Sequence, residues 1–443
     1  MIFDPITINN VTFANRLLRS SVGGRSAYYN GTASDVWKNF EKRFAEGGVG
    51  GIISTTLNIN RYRQSPMQYP PLSEDRFVPP LRKYIREIRA TGVKYLIQIG
   101  DPGMATQLSL FPDVRDSWSS SSGFDLAYGY NNWRTPMTEP EILGEIAEFR
   151  DAARRVRETG ADGMEVTASK GYIIHQFLNP GLNRRTDEWG GTPEKRFRLL
   201  EEIVKAVRAE VGRDFLFGIR LSAADWNFLP LNVRLPVVFP LRAHFFGNGM
   251  EQTLDHGRWL KALGIDFLHI DSGYGFLHPR VTPGRFPLFE ARLFCNYARH
   301  LSAKVALQAT LFNLLPSWLL GPIVGIGYHY KEGISLDYAA TFRREIGLPV
   351  ISNGGYQHRG FIEQALSDGK CDMVSMGRAL LANPDLPKRF RDGFDEAERP
   401  CTFCSRCAGR TATSPLGCYE PLRFDSIEDM ERQIMEWNRP DPA

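Results

Sequence analysis

Uninterrupted apolar runs, blocks of like charge and scattered cysteines are all scarce in this chain of 443 residues. The N-terminus, Met1-Ile2-Phe3-Asp4-Pro5, has no basic stretch followed by an apolar run. No signal peptide is therefore expected, and the expected compartment is the cytoplasm. Lys and Arg number 54 against 50 Asp and Glu, a net charge of +4 with no basic block, which argues against nucleic acid as a partner. No internal repeat or low-complexity tract occurs, and no strand–Gly-x-Gly-x-x-Gly–helix unit has a downstream acidic residue. Gly47-Gly48-Val49-Gly50-Gly51 precedes a strand rather than opening a helix, so it reads as a turn. Of six cysteines, Cys295 and Cys371 stand alone while Cys401, Cys404, Cys407 and Cys418 crowd together, a pattern of metal binding rather than disulfides.

What is present is strand–helix alternation. Short apolar runs predict strands at Arg16–Val22, Gly51–Thr55, Lys94–Ile99, Gly163–Thr167, Leu216–Leu221, Phe267–Ile270, Pro349–Ser352 and Met373–Met376. Amphipathic stretches lie between several of them, such as Phe197, Leu200, Ile203, Val204 and Val207 after the Gly190-Gly191 turn. Fully apolar strands alternating with helices imply a parallel sheet, and eight such units fit a closed (β/α)8 TIM barrel of the α/β class better than an open sheet. The barrel is expected over residues 1–395, and a cysteine-cluster segment with a charged tail over 396–443. Two connections are long and apolar: about Asn227 to Gly249 after the fifth strand, and about Gly273 to Arg344 after the sixth. Long loops after barrel strands lie on the catalytic rim. The second contains Pro316, Gly321 and Pro322, which interrupt any simple membrane-spanning helix.

The last two strands end in Asn353-Gly354-Gly355 and Gly377-Arg378. Loops in these positions often form a phosphate site, with backbone N–H groups closing on oxygens and an arginine adding a forked donor. Tight turns are the alternative for each pair alone; together, at matching strand ends, they favour phosphate. Gln98 and Arg220 are polar residues at strand ends, where a barrel interior is normally apolar. A flavin would use both: an amide serves N3–H and a carbonyl, and a cation stabilises the anionic reduced ring near N1 and O2. A solvated Gln98 and a salt-bridged Arg220 are the alternative.

The run from Gly163 through Thr167, Lys170, Tyr172, His175 and Asn179-Pro180 to Trp189-Gly190-Gly191 and Arg196-Phe197 closely resembles the old yellow enzyme family. It is most similar to the iron–sulfur branch that contains 2,4-dienoyl-CoA reductase and trimethylamine dehydrogenase. The likeness runs from Asn15-Arg16 to Cys418 and is weak in the two insertions. It implies FMN across the barrel mouth, with the backbone of Ser21, Val22 and Gly23 against the ring and Thr55 beside it. It implies Gln98 and Arg220 on the pyrimidine edge, and Gly354, Gly355, Gly377 and Arg378 on the phosphate. Tyr172 matches the family's proton-donating tyrosine, and His278 lies one residue out of register with a catalytic histidine of the dienoyl reductases. Many relatives grip a substrate carbonyl with a fourth-strand His-x-x-Asn or His-x-x-His pair; here Thr167 and Lys170 stand in those places. The third-strand His-x-Gly-Arg pattern is replaced by Asp101 and Met104.

The cysteines follow Cys-x2-Cys-x2-Cys-x10-Cys. A tight triplet plus one distant cysteine suits a [4Fe–4S] cluster, whereas structural zinc more often uses two separated pairs. The relatives continue into FAD- and nucleotide-binding domains that this sequence does not contain. A cluster passes single electrons and FMN converts them to pairs, so an outside electron-transfer partner or NAD(P)H is expected.

These observations together predict an oxidoreductase that reduces the activated C=C bond of a bulky apolar enone or enoyl thioester, with electrons relayed through the cluster. The alternatives are a dehydrogenase of amines or saturated substrates, and a non-catalytic electron-transferring subunit. The apolar insertions, including Phe239, Phe245 and Phe246 in one and Leu314, Trp318 and Ile323 in the other, are expected to pack together as a cap. An oligomer interface or a membrane patch is the alternative, and a homo-oligomer is expected.

Overall fold

The computed structural model describes residues 1–24, 26–28, 30–60, 69–105, 118–123, 134–225, 247–275 and 278–441. Eight parallel strands form a closed ring: β1 (Leu17–Arg19), β2 (Gly51–Ile53), β3 (Lys94–Gly100), β4 (Gly163–Ala168), β5 (Leu216–Ser222), β6 (Phe267–Asp271), β7 (Val350–Asn353) and β8 (Met373–Met376). Each pairs with the next, and β8 returns to β1 with Ser375 opposite Leu18. All eight coincide with the strands predicted from sequence, to within the fraying of their ends.

The strands are buried on both faces, yet successive side chains still point to opposite sides. Tyr95, Ile97, Met164, Val166, Phe217, Ile219, Leu268 and Ile270 point outward into the core shared with the surrounding helices. The alternate residues fill the barrel in layers. Leu18, Ile53, Leu96, Leu216, Phe267, Ile351 and Met373 make an apolar floor, closed below by Ile8, Val11 and Phe13 of an N-terminal hairpin, Ile6–Ile8 with Val11–Phe13. One layer higher on β3, β4, β6 and β8 the interior turns polar, with Gln98, Glu165, His269 and Ser375.

The helix after the Gly190-Gly191 turn spans Pro193–Val211, with Thr192 capping it through a bond from the Lys195 N–H. Phe197, Leu200, Ile203, Val204 and Val207 form its buried face, as their spacing requires. Of the two insertions, residues 226–246 lie outside the described residues, and with them the first half of the expected cap. The second insertion contains helices Leu288–Ala298, Ala303–Leu314 and Ser317–Val324. They pack on one another through residues such as Phe294, Ala298 and Val305. The opposite face points outward, with Leu314 72% and Trp318 77% exposed. Among the described residues the expected covering of this face is not seen. No described helix is long and apolar enough to cross a membrane.

The C-terminal segment lies against the barrel. Helix Ile427–Trp437 packs on helix Asp35–Glu46, where the Arg43 guanidinium sits 4.3 Å from the Trp437 ring centre. Trp437 belongs to the main core.

The floor leaves no spare volume at Gly218: a Cβ there would sit 2.3 Å from the Phe267 ring. Gly218→Ala is expected to destabilise the fold by about 1–3 kcal/mol through overpacking. Urea unfolding of the two proteins measures it; an unchanged midpoint would show that the floor yields freely.

Candidate functional site

A cleft opens at the C-terminal end of the strands, where barrels carry their chemistry. It is lined by Ser20, Ser21, Val22 and Gly23 after β1, by Gln98 on β3, and by Thr167, Lys170 and Tyr172 at and after β4. Arg220 on β5, the segment Val281–Thr282–Pro283, the residues Asn353, Gly354 and Gly355, and Gly377 with Arg378 complete the ring. The structure thus brings together nearly all the flavin and phosphate candidates read from sequence. Thr55 is not among the lining residues; its neighbour Thr56 is, donating a hydrogen bond to Gln98 Oε1. Thr55 lies beneath Gly23, where an added Cβ would meet its hydroxyl. His278 is buried outside the lining, its Nδ1 accepting from the Arg280 N–H at 3.2 Å.

Two of the phosphate candidates have a backbone that only glycine adopts without strain. Gly354 and Gly355 have φ of 149° and 76°, and a Cβ on Gly354 would press within about 3.0 Å of Ile334. Arg378 is anchored by a bond from Nη1 to Ser405 Oγ at 2.9 Å, and its guanidinium lies over the Phe403 ring.

Below the cleft a polar thread crosses the barrel. Gln98 Nε2 donates to Glu165 Oε1 at 2.5 Å, Glu165 Oε2 meets His269 Nδ1 at 2.8 Å, and His269 Nε2 meets Ser375 Oγ at 2.7 Å. Burial pushes the His269 imidazole below its ordinary pKa, against the pull of Glu165. Glu165 and His269 were missed by the sequence reading; the alternation of β4 and β6 places both inside, and an ionisable pair on inward positions is the signal that could have found them.

Above this layer lies a charged group. Asp271 Oδ2 accepts from Lys170 Nζ at 2.8 Å and from Arg220 Nε at 2.8 Å. Lys170 takes a left-handed backbone, φ +61°, followed by Gly171 at +78°. Such a conformation is unfavourable for a lysine and is kept only where surroundings over-determine it. Burial lowers its pKa to about 8, opposed by Asp271 and reinforced by Arg220 and Arg378. Tyr172 begins the short helix Ile173–Leu178, whose His175 is pinned by Asp225 Oδ1 at 2.8 Å and by the Gly171 N–H at 3.0 Å. At the lip, buried Arg19 pairs with buried Glu41 and donates to the carbonyls of Ser20 and Val22, fixing the loop after β1.

A second, enclosed cavity adjoins the cleft. Cys401, Cys404, Cys407 and Cys418 all line it, and none is in a disulfide. Phe403 and Ser405 both have positive φ, +50° and +60°, which curls the loop so that the triplet faces one space. Four thiolates on one cavity could hold either a zinc ion or an iron–sulfur core. Burial raises the Cys401 thiol to about 11 and Cys407 well above the ordinary value, so the pocket disfavours bare thiolates. Arg378, Leu381 and Cys407 line both the cavity and the cleft.

The family model of the NADH:flavin oxidoreductase / NADH oxidase family matches residues 1–228 and 332–396. The chain belongs to that family. The unmatched stretch 229–331 contains most of both insertions. Among similar proteins, a metal reductase of Desulforamulus reducens is 28% identical over 92% of this chain and 51% of its own length. A multifunctional alkene reductase/demethylase of Caballeronia cordobensis is 26% identical over 93% of this chain and 52% of its own. The chain therefore spans about half the length of these curated relatives. The fold is shared with 2-naphthoyl-CoA reductase in complex with 2-naphthoyl-CoA, at 23% identity and a TM-score of 0.74, over 100% of this chain and 58% of that one. The resemblance seen in the β4 run is thus confirmed, and a flavin goes with the family.

Every member of the polar thread is buried, so each depends on its partners within it. Glu165→Ala would orphan Gln98 Nε2 and the His269 ring. It is expected to cost about 2–4 kcal/mol, at about 1–2 kcal/mol for each buried donor left unpaired. Urea unfolding checks this against Ser375→Ala, which orphans one group and should cost less.

Proposed function

We propose that the chain is an FMN-dependent ene-reductase fed with electrons through a [4Fe–4S] cluster. The observation that carries this reading is the common wall of the cleft and the cysteine cavity: Cys407, Arg378 and Leu381 belong to both. Bound FMN would supply hydride chemistry and convert single electrons into pairs. Gln98 and Arg220 would hold its pyrimidine edge, the backbone of Ser21, Val22 and Gly23 would lie against the ring, and Gly354, Gly355, Gly377 and Arg378 would hold its phosphate. Cys401, Cys404, Cys407 and Cys418 would hold the cluster. Electrons would come from NAD(P)H or from an electron-transfer partner.

Tyr172 lines the cleft on the β4 side and is the group assigned to give a proton to the substrate α-carbon. His278, buried outside the lining, is kept as a candidate only through its neighbours Val281–Pro283. Oxidation of an amine is disfavoured by charge. Lys170, Arg220 and Arg378 line the cleft, with no carboxylate among the described lining residues, so a cationic substrate would meet repulsion. A non-catalytic subunit remains the contrasting class, and inertness of the reduced protein toward a broad enone and enoyl-thioester panel would favour it.

Two measurements test the reading. Tyr172→Phe is expected to slow alkene reduction roughly 100-fold while leaving reduction of the flavin by its donor unchanged; stopped-flow of the two half-reactions separates them. If neither changes, Tyr172 is not the donor. Protein purified without oxygen should carry about four irons with sulfide per chain. Zinc without sulfide would defeat the cluster assignment.

A further inference from the structure

The insertion after β6 turns an apolar face outward, and nothing among the described residues covers it. Single exposed leucines are ordinary on a protein surface; a contiguous apolar face is not. On helix Ala303–Leu314 the exposed residues Leu307, Leu311 and Leu314 fall four and three apart, which is one stripe of a helix. On helix Ser317–Val324, Trp318, Leu319 and Ile323 are exposed. Helix Leu288–Ala298 adds Phe289 and Tyr297. Arg292 ties the three helices together. Its Nε donates to the Phe312 carbonyl at 2.8 Å, Nη2 to the Leu315 carbonyl at 2.5 Å and Nη1 to Ser317 Oγ at 2.6 Å. The turn between Leu314 and Trp318 is thereby fixed, and both helices present their apolar residues from one corner.

The charge of this insertion has one sign. From Ala291 through Lys331 the sequence contains no Asp or Glu, while Arg292, Arg299, Lys304 and Lys331 are cationic. The carboxylates that bound this stretch are turned away from the surface. Glu290 is buried and meets Arg410, and Glu332 accepts from the backbone N–H groups of Gln357 and His358. Arg285, Arg299 and Lys331 are exposed. Of these three, only Lys331 has a carboxylate within reach among the described residues, Asp337 at 3.9 Å.

A second copy of the chain fits such a surface poorly. A symmetric dimer sets the same patch against itself, so its cations would meet like charge. An anionic bilayer answers both features at once, with phosphates outside and hydrocarbon just beneath. Trp and Tyr suit that boundary, having an apolar body and a polar tip. No described helix is long and apolar enough to cross a membrane, so these helices would lie along the surface.

We propose that the insertion seats the protein on an anionic lipid bilayer. Leu311, Leu314, Trp318 and Ile323 enter the boundary between headgroups and acyl chains, and Arg285 and Arg299 meet lipid phosphates. The insertion leaves the barrel from the C-terminal end of β6, the end that carries the cleft. Its root is part of the cleft wall: Val281, Thr282 and Pro283 line the cleft, and the Gly284 N–H donates to the His329 carbonyl at 3.0 Å. Docking therefore turns the cleft end of the barrel, rather than its apolar floor, toward the lipid.

The test is co-sedimentation of the holoprotein with vesicles. One set is phosphatidylcholine alone, and the other contains about one-third phosphatidylglycerol, both in about 0.1 M salt. Wild type should bind the anionic vesicles roughly tenfold more tightly than the neutral ones, and this preference should shrink in about 0.5 M salt. Arg285→Glu combined with Arg299→Glu should remove the preference. Trp318→Asp combined with Ile323→Asp should weaken binding to both vesicles roughly tenfold or more. All four side chains are exposed, so flavin content and the urea midpoint should stay as in wild type. If the aspartate pair does not fold, Trp318→Ser alone should still weaken binding roughly fivefold. A wild type that binds neither vesicle overturns the proposal, as does equal binding by wild type and the Trp318 variants. Sedimentation velocity without lipid reads the rival occupant. A wild-type dimer that the aspartate pair splits, with no vesicle binding, makes the face an interface between copies and overturns the membrane reading.

Discussion

At the mouth of the barrel, one buried carboxylate faces two buried cations. Asp271 Oδ2 holds both Lys170 and Arg220 at 2.8 Å, and all three residues are largely buried. Removing charge from water is costly unless partners are close and well aligned. Asp271 therefore fixes where the two cations lie, and through them the geometry of the ends of β4 and β5. The strained backbone at Lys170 makes sense only in this setting, because the ion pair holds a conformation the lysine would otherwise leave. Tyr172, two residues on, inherits its position from the same turn and from His175, which Asp225 locks behind it.

Ring closure supplies the rest. Each strand hands the interior one residue in two, so three rises along the same strand give an apolar floor, a neutral-to-polar middle and a charged top. On β6 the sequence Phe267, His269, Asp271 shows all three. The middle thread from Gln98 to Ser375 spans four strands, and every member finds a partner there. Such a thread ties the cleft end of the interior to the barrel wall, because moving one strand would unpair groups on strands across the barrel.

The eight strands were legible because each is a short apolar run with helical periodicity between. The phosphate and flavin candidates were legible because glycine pairs, an amide and arginines at strand ends are conspicuous against apolar neighbours. Other features could not be read locally. Glu165 and His269 are 104 residues apart, and Arg19 and Glu41 meet only after the first helix folds back on β1. A charged residue inside a strand looks like any surface charge until its partner is known. Thr55 against Thr56 is a register matter: a one-residue shift at a strand end moves a side chain to the opposite face. For His278 the difficulty is different, since beyond β6 no periodicity tells which loop residue turns inward. Apolar content in the second insertion was plain, but not which face of its helices the neighbouring helices would cover.

The wall between the cleft and the cysteine cavity is drawn from places far apart in the chain. Phe403 stacks on Tyr330 with ring centres 4.2 Å apart, closes over Gly284 and lies under Arg378. Its left-handed backbone, and that of Ser405, are not conformations these residues would hold alone. The cysteine triplet consequently has no defined shape until β6, β7 and β8 and the segments between them are in place. The four thiols are thereby gathered at one cavity only on a barrel already shut, and an immature chain carries them loose.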